Sequence, residues 1–149
     1  MGLIAAPFAL IGLKTYTKIT QRERVRVLVT NENREVLLLK DVLSYRKWTL
    51  PGGGLNKNET AVACARRELH EETGILAPES SFQYVKTLKS PEIAVPFDAP
   101  LFHITIQKNK LPKKMANPHE VADIRWFAVD NLPSSLSQIA QYVLDEIYR

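Results

Sequence analysis

The stretch Gly53-Gly54-Leu55-Asn56-Lys57-Asn58-Glu59, followed after seven residues by Arg67-Glu68-Leu69-His70-Glu71-Glu72-Thr73-Gly74-Ile75, decides how this chain is read. Thr60 to Thr73 contains no Gly or Pro and is rich in Ala, Leu, Arg and Glu, so it reads as a helix. Asn58 or Thr60 caps its start, and Gly74 suits a left-handed C-terminal position. Residues three and four apart share a helix face, so the spacing predicts that Glu68, Glu71 and Glu72 converge. Without a partner this is unfavourable. Like charges at these spacings repel by a few tenths of a kcal/mol per pair, and acidic groups in a last turn oppose the helix dipole at roughly 0.3–1 kcal/mol each. Arg66 and Arg67 offset part of that cost. A hard divalent cation reverses it, because Mg²⁺ prefers carboxylate oxygens and keeps waters that a phosphate can replace.

Upstream, Trp48-Thr49-Leu50 is short, apolar and β-prone and reads as a strand end. Pro51 closes it and starts a turn. Gly52, Gly53 and Gly54 then read as a loop whose main chain, free of side chains, brings its N–H and C=O groups against a phosphate or a metal.

These residues resemble the Nudix box, Gly-x5-Glu-x7-Arg-Glu-(apolar)-x-Glu-Glu-x-Gly-(apolar). Gly53, Glu59, Arg67, Glu68, Leu69, Glu71, Glu72, Gly74 and Ile75 fill its fixed positions, and the box covers 23 of 149 residues. The resemblance implies an α+β fold, a mixed β-sheet sandwiched between α-helices, with the box as a loop–helix–loop. It also implies a hydrolase that cleaves the pyrophosphate bond of a nucleoside diphosphate linked to another group, using Mg²⁺, with Mn²⁺ as an alternative. On that pattern Glu71 and Glu72 are metal ligands and Glu68 is a ligand or the general base. The carbonyl of Gly52 is a further ligand, and Gly53 and Gly54 lie against substrate. Arg67 orients the glutamates by ion pairing. Glu59, placed in the first helical turn, is structural or a metal ligand. A glutamate from a later loop often supplies another ligand or the base in this family, and Glu120 is the candidate here, against a solvated surface role.

Composition fits this picture without deciding it. One domain is expected at 149 residues, with a sizeable core. Twenty basic against 16 acidic side chains give a net charge of +4, suited to an anionic substrate but too small to imply nucleic-acid binding. Cys64 is the single cysteine, so no internal disulfide forms, consistent with a cytoplasmic setting. Residues 1–20 form an apolar N-terminal segment ahead of a domain over 21–149. Its uncharged run Gly2–Leu13 is shorter than the roughly 20 residues of a membrane span and lacks the basic start of a signal peptide. It is expected to pack on the domain or across a homodimer, with association to a membrane surface as the alternative.

Elsewhere, Arg24–Thr30, Glu35–Lys40, Phe82–Leu88, Leu101–Gln107 and Val121–Val129 read as strands, and Pro91–Pro100 and Lys108–Glu120 as loops. Leu136, Ile139, Ala140, Val143, Leu144 and Ile147 recur at helical spacing, with Ser135 and Gln138 as a capping box. Val62, Ala65 and Leu69 are the stripe of the box helix that faces the sheet. His70, His103 and His119 have no visible partner, Trp48 and Trp126 read as packing, and nothing selects a nucleobase platform among Phe82, Tyr84, Phe97 and Phe102. Pro91 stands 16 residues past Ile75, a position that the resemblance links to ADP-ribose hydrolases. The compact chain and its Trp48–Gly54 run are closer to the small MutT-like hydrolases. A small nucleotide such as a (d)NTP is therefore the expected substrate. The alternatives are the 5′ end of an RNA and a non-catalytic nucleotide-binding regulator on the same fold, which the intact glutamates argue against.

Overall fold

The computed structural model describes residues 23–43, 46–89 and 97–149. In chain order it contains β1 (Arg24–Thr30), β2 (Val36–Asp41), β3 (Trp48–Thr49), β4 (Gly52–Gly54), α1 (Ala61–Thr73), β5 (Gln83–Leu88), β6 (Ala99–Thr105), β7 (Val121–Phe127) and α2 (Gln138–Val143), which runs on as a wider π-helical turn over Leu144–Tyr148. The seven strands form one mixed sheet. β1 and β6 pair in parallel from Arg26↔Leu101 to Thr30↔Thr105, and the other pairings are antiparallel.

Alternation along the strands builds two cores, one on each sheet face. Val25, Val27 and Val29 of β1 join Leu37, Phe102 and Ile104 on the face that receives Cys64, Ala65 and Leu69 of α1. Leu28, Val36, Leu38 and Leu101 project the other way, where Trp48 and Leu50 meet Ile139, Ala140, Val143 and Leu144 of α2. The sheet is thus sandwiched between helices, as expected, and α1 lies on it by the Ala65–Leu69 stripe. Val62 is half-buried at its margin.

Several local expectations are corrected. Gly52–Gly54 is a short strand rather than a loop, paired with β1 as Arg24↔Gly54, Val25↔Gly53 and Arg26↔Gly52. The chain reaches it from the β2 edge, since β3 pairs Leu39↔Thr49 and Lys40↔Trp48, and Val27 N–H donates to Pro51 C=O at 2.9 Å at the crossing. β6 begins at Ala99 and includes Pro100, opposite Thr87 of β5. Pro100 precedes the first β1 partner, Leu101, so no ladder bond needs its missing N–H on that side. The last helix is capped by Ser137 rather than Ser135: the Ser137 hydroxyl accepts from Ala140 N–H at 3.2 Å. The readings of residues 1–20 and of Pro91 lie outside the described residues. Among the described residues no helix is long and apolar enough to cross a membrane.

Candidate active site

Helix α1 is fixed at both ends. The Thr60 hydroxyl accepts from Ala63 N–H at 3.2 Å, which selects Thr60 over Asn58 as the cap. Gly74 ends the helix at φ 78°, its N–H donating to His70 C=O at 2.8 Å. With Cys64, Ala65 and Leu69 committed to the core, Glu68 and Glu72 are carried over β4. The Glu72 carboxylate accepts from Gly52 N–H at 3.0 Å. A Cβ on Gly53 would collide with the Glu68 carboxylate, so glycine lets that carboxylate lie directly against the strand. The backbone of β4 and two glutamates one helical turn apart thus form a single wall.

Arg67 organises the other side. Its Nε and Nη2 grip Glu59 at 2.8 and 2.9 Å, its Nη1 reaches Glu68 at 3.0 Å and Glu71 at 3.1 Å, and Nη2 also donates to Gly54 C=O at 3.0 Å. A guanidinium has five N–H donors, and these bonds engage all of them. Arg67 holds the loop, the strand and the helix together.

Electrostatics separate the carboxylates. The Arg67 hydrogen bonds hold Glu59 down at about 2. Burial pushes Glu72 up to about 8, against the Gly52 N–H that favours its charge, and Glu68 adds like-charge repulsion. Burial also raises Glu68, despite Arg67 beside it. Conversely Arg67 is held well above its usual value by Glu59. Cys64, pushed up to about 12 by burial, stays a thiol and donates weakly to Gly53 C=O at 3.7 Å.

Of the three predicted glutamates, Glu68 and Glu71 share the Nη1 of Arg67, and Glu72 turns to Gly52 N–H. Glu68 and Glu72 face β4, whereas Glu71 is 51 % exposed and turned to Arg67. Among the described residues no group of three Asp, Glu, His or Cys is gathered closely enough to cage an ion. Glu59 lies before the Thr60 cap, outside the first turn, and its Arg67 pair rather than the helix dipole accounts for it. Glu120 is exposed just before β7, and its C=O accepts from Val42 N–H at 2.9 Å. No hydrogen bond or ion pair joins it to the box glutamates among the described residues. Two residues were not singled out from sequence. Asp41, at the end of β2, contributes to the upward shift of Glu72, and Arg26, opposite Gly52, opposes it. Their positions depend on how β4 crosses from β2 to β1, which no local pattern encodes.

The donor set suits a hard divalent cation. Two half-buried carboxylates crowd one another, and a backbone carbonyl-bearing strand lies against them. Mg²⁺ sites commonly use one or two carboxylates, the remaining positions going to water and substrate phosphate, so a full protein cage is not required. Glu68 and Glu72 are the residues that would hold such an ion, with Gly52 C=O adjacent. A hollow of about 820 Å³, lined by Arg34, Val129 and Tyr148 among others, contains none of these groups.

A family model described as the NUDIX domain matches residues 20–147. An RNA pyrophosphohydrolase of Bartonella henselae is 38% identical over 71 residues, covering 42% of this chain and 41% of that relative. The chain thus spans about two fifths of the length of the first curated relatives it matches. Among solved structures, a MutT NUDIX hydrolase from Burkholderia pseudomallei superposes with a TM-score of 0.68 at 22% identity, over 85% of this chain and 98% of that one. A bifunctional NMN adenylyltransferase/ADP ribose pyrophosphatase from Francisella tularensis, complexed with AMP and a Mn ion, gives 0.64 at 24% identity, over 97% and 48%. The chain belongs to the NUDIX domain family, and its fold is that of the MutT-type members.

Proposed function

We propose that this chain is a divalent-metal-dependent pyrophosphohydrolase that cleaves the phosphoanhydride bond of a nucleoside diphosphate linked to another moiety, with a small nucleotide such as a (d)NTP as substrate. The observation that carries it is the wall formed by Glu68 and Glu72 against the glycine strand, where crowded, half-desolvated carboxylates are costly unless a cation joins them. When bound, Mg²⁺ or Mn²⁺ supplies charge neutralisation and Lewis-acid polarisation of phosphate oxygens; the Mn ion named for the Francisella structure supports that choice. Glu72 and Glu68 hold the ion, with the Gly52 carbonyl as a further ligand and Glu71 as a ligand reached from the exposed side. Gly53 and Gly54 keep the strand free of side chains where the phosphate chain passes. Glu68, where it does not ligate the ion, is the base that accepts the proton of the attacking water; Glu120 is the competing base. Arg67 positions Glu68 and Glu71.

A second reading, hydrolysis at the 5′ end of an RNA, is favoured by the name carried by the Bartonella relative. The net charge of +4 suits either substrate. A cytoplasmic location belongs to the same reading and is supported by the lone, buried Cys64. The test is release of nucleoside monophosphate, or of pyrophosphate, from a panel of nucleotides and a 5′-triphosphorylated RNA, with and without Mg²⁺. Metal-dependent release from the nucleotides is expected. Absence of release from every substrate with metal present sinks the proposal. RNA turnover alone selects the second reading.

A further inference from the structure

Arg26 is a buried cation with an unfinished set of hydrogen bonds. It lies on β1 opposite Gly52, the residue whose N–H holds Glu72. Its Nη1 donates to the carbonyl of its own neighbour Val25 at 2.8 Å. Its Nε is closed off from solvent and has no partner. Among the described residues no ion pair joins Arg26 or Arg24 to a carboxylate. Both guanidiniums instead lie against the Phe97 ring, at 5.9 and 5.4 Å from its centre. Burial, reinforced by Arg24, lowers Arg26 to about 10, and the charges of Glu72 and Glu68 only partly counter this. An unpaired buried donor on a cation is a cost to the fold, so a purely structural role leaves Arg26 unexplained.

The geometry supplies a use. With Nη1 anchored on Val25, the Nε–Nη2 edge of the guanidinium is the free one. That edge presents two parallel N–H donors, the fork that matches two oxygens of a phosphate. It stands beside the carboxylate wall but belongs to the opposite side of β1, on the Phe97 flank. We propose that Arg26 is a substrate-contacting residue, binding a phosphate group of the substrate through its Nε–Nη2 edge while Glu68 and Glu72 serve the metal. This rests on the phosphoanhydride reading above and adds a second, metal-independent hold on the phosphate chain. Arg24, exposed and against the same Phe97 ring, adds positive charge on that flank.

The test uses inorganic pyrophosphate as the probe, titrated calorimetrically into the full chain in Mg²⁺, with wild type, Arg26→Met and Arg26→Lys. Loss of a charge-assisted pair predicts pyrophosphate binding weaker by about 10- to 100-fold in Arg26→Met, with Arg26→Lys between the two. Binding of Mg²⁺ alone stays unchanged, and the melting temperature of ligand-free Arg26→Met is equal to or above that of wild type, since an unpaired buried donor is removed. A merely structural Arg26 gives the reverse pattern, a lower melting temperature with pyrophosphate affinity intact, and overturns the inference. So does wild type that takes up no pyrophosphate. If Arg26→Met does not fold, Arg26→Lys decides, and affinity within twofold of wild type rejects the role. The nucleotide panel judges the enzymatic reading separately: turnover with an unaffected Arg26 variant sinks only this inference, and an anion site without turnover sinks only the other.

Discussion

Glu72 is where chemistry and stability oppose each other. Between its ordinary value near 4.5 and its folded value near 8, the folded chain keeps a proton that the unfolded chain releases. The folded state therefore binds more protons, and the Glu72 contribution to stability is fully present below about 4.5 and lost as pH rises through about 8. Metal-free protein should become less stable across that window, and Glu72→Gln should remove the decline, gaining on the order of 1–3 kcal/mol at pH 8, as read by urea denaturation in EDTA. The same substitution should cut turnover by at least about a hundredfold, since altering even an outer partner of a metal ligand costs 10–100-fold. Wild-type kcat in Glu72→Gln removes the metal assignment. Gly53→Ala tests position rather than charge. The added Cβ meets the mobile end of Glu68, so the fold should melt within a few degrees of wild type, while displacement of the carboxylate lowers kcat by about tenfold or more. For the base, loss of the acidic limb of the pH–rate profile in Glu68→Gln, but not in Glu120→Gln, marks Glu68.

At the scale of elements, α1 is defined by its two ends and by one arginine. Thr60→Ala deletes the accepted Ala63 N–H bond and should cost about 1 kcal/mol in chemical denaturation without altering substrate affinity. Arg67→Met is expected to behave differently. It frees Glu59, Glu68 and Glu71 and leaves the Gly54 carbonyl without its donor, so stability and kcat should fall together. If kcat is preserved at full stability, Arg67 is not a positioning residue. The box helix was legible in sequence because its signals are local: a cap, an apolar stripe and a left-handed glycine. The glycine run reads locally as a loop because its pairing is not local. Nothing in Gly52-Gly53-Gly54 announces a strand, and only β1 alongside it makes one.

For the whole molecule, the sandwich joins the site to global stability. A ligand that binds only the folded state stabilises it by about 2.7 kcal/mol at a hundred times its dissociation constant. Saturating Mg²⁺ or Mn²⁺ should therefore raise the melting temperature by several degrees, with EDTA reversing the shift and the shift smaller at pH 5, where protons compete for the carboxylates. No shift at pH 8, with or without pyrophosphate, contradicts a metal centre. Salt separates the substrate readings: binding of a 5′-triphosphorylated RNA should weaken steeply between 50 and about 200 mM salt if many phosphates are contacted, whereas a small nucleotide should show a shallower dependence.

The sequence by itself determined the α+β class, the extent of β1, the box helix with its Gly74 end, and the identity of the acidic residues, because strand alternation, helical spacing and fixed motif positions are properties of neighbouring residues. Tertiary structure alone decided that Glu68 and Glu72 face the glycine strand and that Arg26 is enclosed beside Phe97. Those outcomes depend on the crossing of the chain from β2 to β1 and on the packing of α1 over it. Desolvation and charge–charge distance are set by that packing, so the chemistry of each glutamate is fixed by what lies across from it rather than by what precedes it in the chain.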